Sequence, residues 1–163
     1  MWILSVRRRG LLKHKWVFCL IATAVITAAC ISLKTCRQEQ VRVIDGRPLL
    51  LTAEGEGDIR RIADFFGADT EHASVEVSDM VIPCRFNRFY QQYNKMQQPT
   101  GEDLAAYSGR ACRLYRLRFD NKSRDADRTM TLLTCDGCWI GGDWSDNDFH
   151  GRMYPLSAFM DPE

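Results

Sequence analysis

A run of 18 residues without a charged side chain, residues 16–33, is the feature that most constrains this chain. A helix rises about 1.5 Å per residue, so roughly 20 apolar residues cross the ~30 Å hydrocarbon core of a bilayer. The flanking Lys13 and Lys15 can extend the span by snorkelling. Five Lys and Arg residues precede the run and only Lys34 and Arg37 closely follow it. The positive-inside rule therefore predicts a cytoplasmic N-terminus, residues 1–15, and an extracytoplasmic C-terminal domain.

Two other interpretations of this segment remain open. Small residues such as Ala22 and Ala24 are typical of a cleaved signal peptide. Cys30, behind Ala28 and Ala29, is compatible with a lipoprotein signal. All three interpretations export the rest of the chain, and a retained single span places the protein in the cell membrane.

The charge distribution excludes one class of partner. Residues 1–36 hold six Lys and Arg and no acidic residue, which leaves 16 basic and 21 acidic side chains in the remainder, a net charge of −5. Nucleic-acid binding depends on a basic surface that neutralises phosphates. We therefore expect no nucleic-acid partner, and the length of 163 residues indicates one globular domain beyond the membrane.

Residues 34–57 are predicted to be a tether, although residues 41–44 and 49–51 can pair as a hairpin around Asp45-Gly46. A short amphipathic helix follows, because its apolar residues fall at i, i+3, i+4 and i+7. They are Ile59, Ile62, Ala63 and Phe66. Gly67 then supplies the left-handed residue that ends many helices.

A second helix is predicted to begin at Pro83, after an extended, valine-rich segment over residues 74–82. Its apolar stripe consists of Phe86, Phe89, Tyr90, Tyr93 and Met96. Aromatic residues at helical spacing are more often core than a ligand cage, so we interpret this stripe as core.

Three strands are predicted over residues 111–119, 128–135 and 138–143, with turns at residues 120–123 and at Asp136-Gly137. The predicted fold class is therefore α+β. An N-terminal transmembrane helix precedes a small domain, residues 58–163, in which two helices cover the apolar face of an antiparallel three-stranded meander.

The order of short motifs in the domain resembles a known bacterial family. The motifs are Ile82-Pro83, Phe86, Tyr90, Tyr93-Asn94, Gly101, Asp103-Leu104, Tyr107, Gly109, Asp136-Gly137 and Ile140-Gly141-Gly142-Asp143. Across roughly residues 58–156 they are similar to domain of unknown function 4830 (DUF4830), an uncharacterised family of small membrane-anchored proteins from Clostridium-like Firmicutes. The resemblance implies an anchor and an exported domain, and it implies no activity, cofactor or partner. The chain departs from the family at Cys135, Cys138 and Ser145.

Cys135 and Cys138 have the C-x-x-C spacing of redox sites and zinc knuckles. A redox motif uses a helix N-terminus to stabilise its thiolate, whereas this pair flanks a hairpin turn. A zinc site needs four ligands, and the sequence offers no second paired spacing. Their Cβ atoms would lie about 5 Å apart, against about 3.8 Å in a relaxed disulfide, so a bond between them would be labile. Cys84 with Cys112 is another possible pair.

The acidic C-terminal end holds the remaining candidate functional residues, Asp143, Ser145, Asp146, Asp148 and His150. A calcium loop is disfavoured because His150 and Ser157 stand at the fifth and twelfth positions of the loop pattern. Asp143, Ser145 and His150 are the ingredients of a hydrolytic triad, but no nucleophile elbow accompanies them. We interpret the segment as a polar surface that can bind a ligand.

We therefore expect a membrane-tethered extracytoplasmic domain that binds a protein or cell-envelope ligand without catalysis. No catalytic residue, cofactor or metal is predicted. The alternative is an exported hydrolytic or thiol-based enzyme that uses the region from Cys135 to His150.

Overall fold

The computed structural model describes residues 40–147 and 151–160. These residues form seven strands, arranged in two antiparallel sheets, together with two α-helices and short 3-10 turns. The helices are α1 (Glu56–Phe65) and α2 (Arg88–Gln97). The strands are β1 (Val41–Ile44), β2 (Arg47–Leu50), β3 (Ala73–Val81), β4 (Ala111–Phe119), β5 (Arg128–Cys135), β6 (Cys138–Asp146) and β7 (Met153–Pro155).

The predicted three-stranded meander is wrong, because the main sheet has five strands in the order β3-β4-β5-β6-β7. The three predicted strands are its centre, and β6 continues to Asp146. β3 pairs along its whole length with β4, from Ala73 opposite Phe119 to Val81 opposite Ala111. The three-residue β7 completes the other edge. Local hydrophobic periodicity reveals a strand but not its distant partner, so the sequence did not assign β3 to the sheet.

The two helices cover opposite faces of this sheet and not one face, as predicted. Side chains alternate between the faces of a strand, so Leu117 and Leu132 lie on one side and Leu114 and Leu133 on the other. We call these sides the first face and the second face. β5 is buried on both faces. Its sequence therefore does not keep, along its whole length, the alternation of apolar and polar residues that is typical of a strand with one face in solvent.

The first face carries the larger core, under α1. The prediction of α1 is confirmed, since its apolar positions Ile59, Ile62, Ala63 and Phe66 are all 0% exposed. Full burial of such a side chain contributes about 1.5–3 kcal/mol. The predicted helix end is also confirmed, because Gly67 has φ +83° and donates its N–H to the carbonyl oxygen of Asp64 at 2.9 Å.

The hairpin of β1 and β2 also packs on the first-face core, although its residues were assigned to a tether. Its turn has the expected positive φ at Asp45 and Gly46. Ile44 and Leu49 are buried, and the Leu51 carbonyl accepts a hydrogen bond from the Trp139 amide at 2.8 Å. Residues 41–53 therefore contribute to the domain.

The second face is covered in part by α2, which begins five residues after the predicted start at Pro83. The Asn87 side chain accepts a hydrogen bond from the Tyr90 amide at 2.9 Å and caps the helix. The prediction that the aromatic stripe is core holds for Tyr93, which is 8% exposed, but fails for Phe89, which is 55% exposed. Phe86 precedes the helix and, like Tyr90, is half-buried.

Within the described ranges, no helix is long and apolar enough to cross a membrane. The predicted membrane span at residues 16–33 lies outside those ranges.

Candidate functional site

A cavity of about 190 Å³ lies between α2 and the second face of the sheet. Phe89, Tyr90 and Tyr93 of α2 line one side. The sheet contributes the apolar residues Met80, Leu114, Leu133 and Met153, and the polar residues Arg116, Thr131 and Asp143. Apolar walls with a few convergent polar groups are typical of a small-ligand site.

Asp143 is the buried polar group of this cavity, with 2% of its surface exposed. Its Oδ1 accepts a 2.7 Å hydrogen bond from the Tyr93 hydroxyl. Its Oδ2 is buried and has no hydrogen-bond partner among the described residues. Burial raises the pKa of Asp143 to about 6, although the Tyr93 hydrogen bond and the Arg116 charge act in the opposite direction. The carboxyl group is therefore largely ionised at neutral pH and only half satisfied.

Gly141 allows α2 to approach β6 closely, and Gly142 contributes a backbone amide to the contact. Ile140 is the extra residue of a β-bulge in β6, and Gly141 follows it with φ +145°. A Cβ atom at Gly141 would lie 2.7 Å from Gln97 Oε1, the same oxygen that accepts a 2.8 Å hydrogen bond from the Gly142 amide. Gly141 therefore leaves room for the buried Gln97 amide, and the Gly142 N–H binds it, two residues and one residue before Asp143.

Arg116 extends the site across the sheet. Arg116, Thr131 and Asp143 are register partners on β4, β5 and β6 and form one row on the second face. Arg116 also lines a shallow groove, together with Arg118, Phe119, Thr129, Ser145 and Asn147. The cavity thus opens beside a surface rich in positive charge and hydroxyl groups.

The predicted functional residues are only partly brought together. Ser145 lies on the same face as Asp143, but its hydroxyl donates to the Thr129 carbonyl at 3.4 Å. Asp146 accepts a 3.0 Å hydrogen bond from the Tyr154 hydroxyl. Asp148 and His150 lie outside the described residues. Because Asp143 bonds Tyr93 and Ser145 bonds a backbone carbonyl, these contacts do not favour the triad interpretation.

The cysteines form a separate cluster near the β5-β6 turn. Cys135 and Cys138 are register partners beside Asp136 and Gly137, whose positive φ values confirm the predicted hairpin. Both are free thiols in the structure, and Cys135 is buried. Cys112 lies on the neighbouring strand, where burial and a hydrogen bond with Cys135 raise its pKa to about 12. A thiol with a raised pKa is a weak nucleophile.

No group of three or more His, Cys, Asp or Glu side chains within residues 40–147 and 151–160 is arranged to hold a metal ion. The polar chemistry of the site therefore comes from one carboxylate, one guanidinium and hydroxyl groups. Such a set can bind a ligand through charge and hydrogen bonds.

Comparisons with known proteins add no evidence about this site. No family model matches the chain, and no curated protein and no solved structure is similar to it. The resemblance to domain of unknown function 4830 stays a prediction.

Sequence reasoning identified Asp143 but missed its companions. Tyr93 and Phe89 were interpreted as core, and Arg116 and Gln97 were not singled out. One signal was available for Arg116: the second-face residues of β4 change from Cys112 and Leu114 to arginine partway along the strand. Where the residues on one face of a strand change from apolar to charged, the part of that face covered by another element ends.

Proposed function

We propose that this chain is a membrane-tethered extracytoplasmic binding domain that acts at the cell envelope without catalysis and holds its ligand in the cavity under α2. The observation that supports it most is the half-satisfied Asp143 carboxylate in a cavity with aromatic walls. Buried polar groups are normally paired, so a residue that lines a cavity and keeps an unpaired oxygen is a natural point of attachment for a ligand.

The exposure of Phe89 supports the same proposal. This ring is 55% exposed although it lines the cavity, and it lies parallel to the Tyr93 ring at 6.4 Å between centroids. Large aromatic side chains that remain exposed beside a cavity are common anchors in binding sites. A bound ligand would cover Phe89 and so gain the hydrophobic free energy that the unliganded chain leaves unused.

Attachment to the membrane is proposed from residues 16–33 and the basic residues before them. The test is a reporter fused after Glu163 that is active only outside the cytoplasm, combined with extraction by carbonate. We expect an active reporter and retention in the membrane fraction. Reporter activity in the cytoplasm would contradict the proposed location.

Binding in the cavity is tested by screening a library of small fragments against the full-length chain in lipid nanodiscs, with saturation-transfer NMR as the readout. We expect hits whose signal is lost in Phe89→Ser. Val77→Ser is the matched control, because Val77 is 57% exposed and apolar but does not line the cavity. If every hit survives Phe89→Ser, or is lost equally in Val77→Ser, the cavity is not a binding site.

A further inference from the structure

Asp143 lines the cavity and has one unpaired oxygen, and this determines which ligand group the cavity favours. The carboxylate accepts one hydrogen bond from Tyr93 and lacks a donor at Oδ2 within the described residues. A buried carboxylate is costly without a paired charge or further donors. An ammonium group supplies three N–H donors and a positive charge, whereas a ligand hydroxyl supplies one donor and no charge. The Asp143 carboxylate therefore favours an ammonium group on the ligand.

The aromatic wall of the cavity favours the same group. Phe89, Tyr90 and Tyr93 contribute three rings, and the Phe89 ring is perpendicular to that of Tyr90 and nearly parallel to that of Tyr93. The face of an aromatic ring attracts a cation, and this attraction is stronger in a desolvated site. A cation bound to Asp143 would thus remain close to electron-rich rings.

Arg116 provides the opposite charge at the other end of the row. Neighbouring strands are about 4.8 Å apart, so the Cα atoms of Arg116 and Asp143 are separated by roughly 10 Å across β5. Arg118 already pairs with Glu76 at 3.3 Å, whereas Arg116 forms no ion pair within residues 40–147 and 151–160. A guanidinium binds a carboxylate through two parallel hydrogen bonds. Arg116 is therefore available for an anionic group on the ligand.

The size of the cavity limits the body of the ligand. Its volume of about 190 Å³ is below the roughly 300–1,000 Å³ of sites for drug-sized ligands. Met80, Leu114 and Met153 give it apolar walls suited to an aliphatic side chain. Resting on the proposed function, we propose that the ligand is a small zwitterion, an α-amino acid with an apolar side chain, whose ammonium group binds Asp143 and whose carboxylate binds Arg116.

The test uses calorimetric titration of the full-length chain in nanodiscs with four matched probes. L-leucine carries both charges, leucinamide only the ammonium, and N-acetyl-leucine only the carboxylate. The dipeptide leucyl-glycine moves the carboxylate one residue away, and so distinguishes a free amino acid from a peptide N-terminus. We expect L-leucine to bind at least about tenfold more tightly than either single-charge probe, since each blocked group removes hydrogen bonds between oppositely charged partners.

Variants assign each charge to a residue. In Asp143→Asn, L-leucine should no longer bind more tightly than N-acetyl-leucine. In Arg116→Gln, L-leucine should no longer bind more tightly than leucinamide. The matched controls are Asp79→Asn on β3 and Arg113→Gln on the first face of β4, both exposed, and both should bind as the parent does. If Asp143→Asn does not fold, the affinities of the four probes for the parent chain still show whether both charges of the ligand are needed.

The outcomes separate this inference from the proposed function. The zwitterion proposal is overturned if L-leucine binds no more tightly than leucinamide and N-acetyl-leucine. It is also overturned if none of the probes binds. If Phe89-dependent fragments still bind in that case, the cavity remains a ligand site for another chemical class. If neither the probes nor the fragments depend on the cavity residues, both proposals are wrong. Tighter binding of leucyl-glycine than of L-leucine also contradicts the free amino acid.

Discussion

The hydroxyl group of Tyr93 donates a 2.7 Å hydrogen bond to Oδ1 of Asp143 and joins α2 to β6 in the protein interior. Gln97, one helical turn further on, makes a second link by accepting a hydrogen bond from the Gly142 amide at 2.8 Å. The two contacts dock the helix on the second face and hold the carboxylate at the cavity. Helix docking and the chemistry of the candidate site therefore depend on the same few residues.

The stability of the fold should decrease as the pH rises through the titration of Asp143. Burial raises the pKa of Asp143 from 3.8 to about 6, so the folded chain binds this proton more tightly than the unfolded chain. Its stabilising effect is complete below pH ~4 and is lost as the pH rises through about 6. We expect the free energy of unfolding to fall by about 3 kcal/mol over this range from Asp143. Denaturant unfolding at a series of pH values measures it.

Asp143→Asn should reduce the slope of the unfolding free energy against pH. Part of the slope should remain in Asp143→Asn, because burial also raises the pKa of Glu102 to about 6 despite its 2.6 Å ion pair with Arg42. A slope as steep in Asp143→Asn as in the parent would show that this carboxyl titrates normally.

Removing the donor of the buried hydrogen bond should destabilise the chain most at neutral pH. Tyr93→Phe keeps the ring but leaves Asp143 without its described donor, at an expected cost of about 1–3 kcal/mol. Tyr90→Phe is the control, since the half-buried Tyr90 hydroxyl bonds no residue of the described ranges. Chemical unfolding of both variants at pH ~7 is the measurement. Equal stability of the two variants would mean that the hydrogen bond between Tyr93 and Asp143 does not contribute to the free energy of unfolding.

Gly142→Ala should disrupt the sheet under α2. A Cβ atom there would lie 2.2 Å from the backbone oxygen of Thr131, which cannot move without breaking the ladder between β5 and β6. We expect a loss of about 3 kcal/mol or more, measured by thermal unfolding. Gly57→Ala in α1 meets no atom within 4 Å and should stabilise the helix by about 0.5–1 kcal/mol. A Gly142→Ala variant that melts with the parent would contradict the position of β6.

Two phenylalanines should differ in their contribution to the core. Phe66 is 0% exposed on the first face, so Phe66→Ala should cost about 3–5 kcal/mol. Phe86 is only partly buried against the second-face core, and Phe86→Ala should cost clearly less. Urea unfolding of the two variants compares them directly. The opposite order would mean that the aromatic stripe before and within α2 is more deeply buried than Phe66.

Thiol labelling should follow the burial of the four described cysteines. Cys84 is exposed, Cys138 is half-buried, and Cys112 and Cys135 are buried. Because the pKa of Cys112 is raised to about 12, this thiol is both shielded and protonated at pH ~8. In single-cysteine variants under native conditions, we expect iodoacetamide to react fastest with Cys84 and slowest with Cys112. Fast labelling of Cys112 would indicate that β4 separates from β5 in solution.

Much of the local structure was predictable from short stretches of sequence. The period of Ile59, Ile62, Ala63 and Phe66 predicts α1, because a helix places residues three and four apart on one side. The Asp136-Gly137 turn predicts the β5-β6 hairpin, because both residues tolerate positive φ. These features depend on contacts between near neighbours, so the sequence alone contains their cause.

The tertiary structure alone decided which elements meet. Tyr93 and Asp143 are 50 residues apart in the chain, and nothing in the sequence around either residue points to the other. The pairing of β3 with β4 and the placement of the two helices on opposite faces decide that Asp143 is buried and Phe89 exposed. Such long-range contacts depend on closing large loops and on burying apolar surface from the whole domain at once, and local backbone preferences do not determine that outcome.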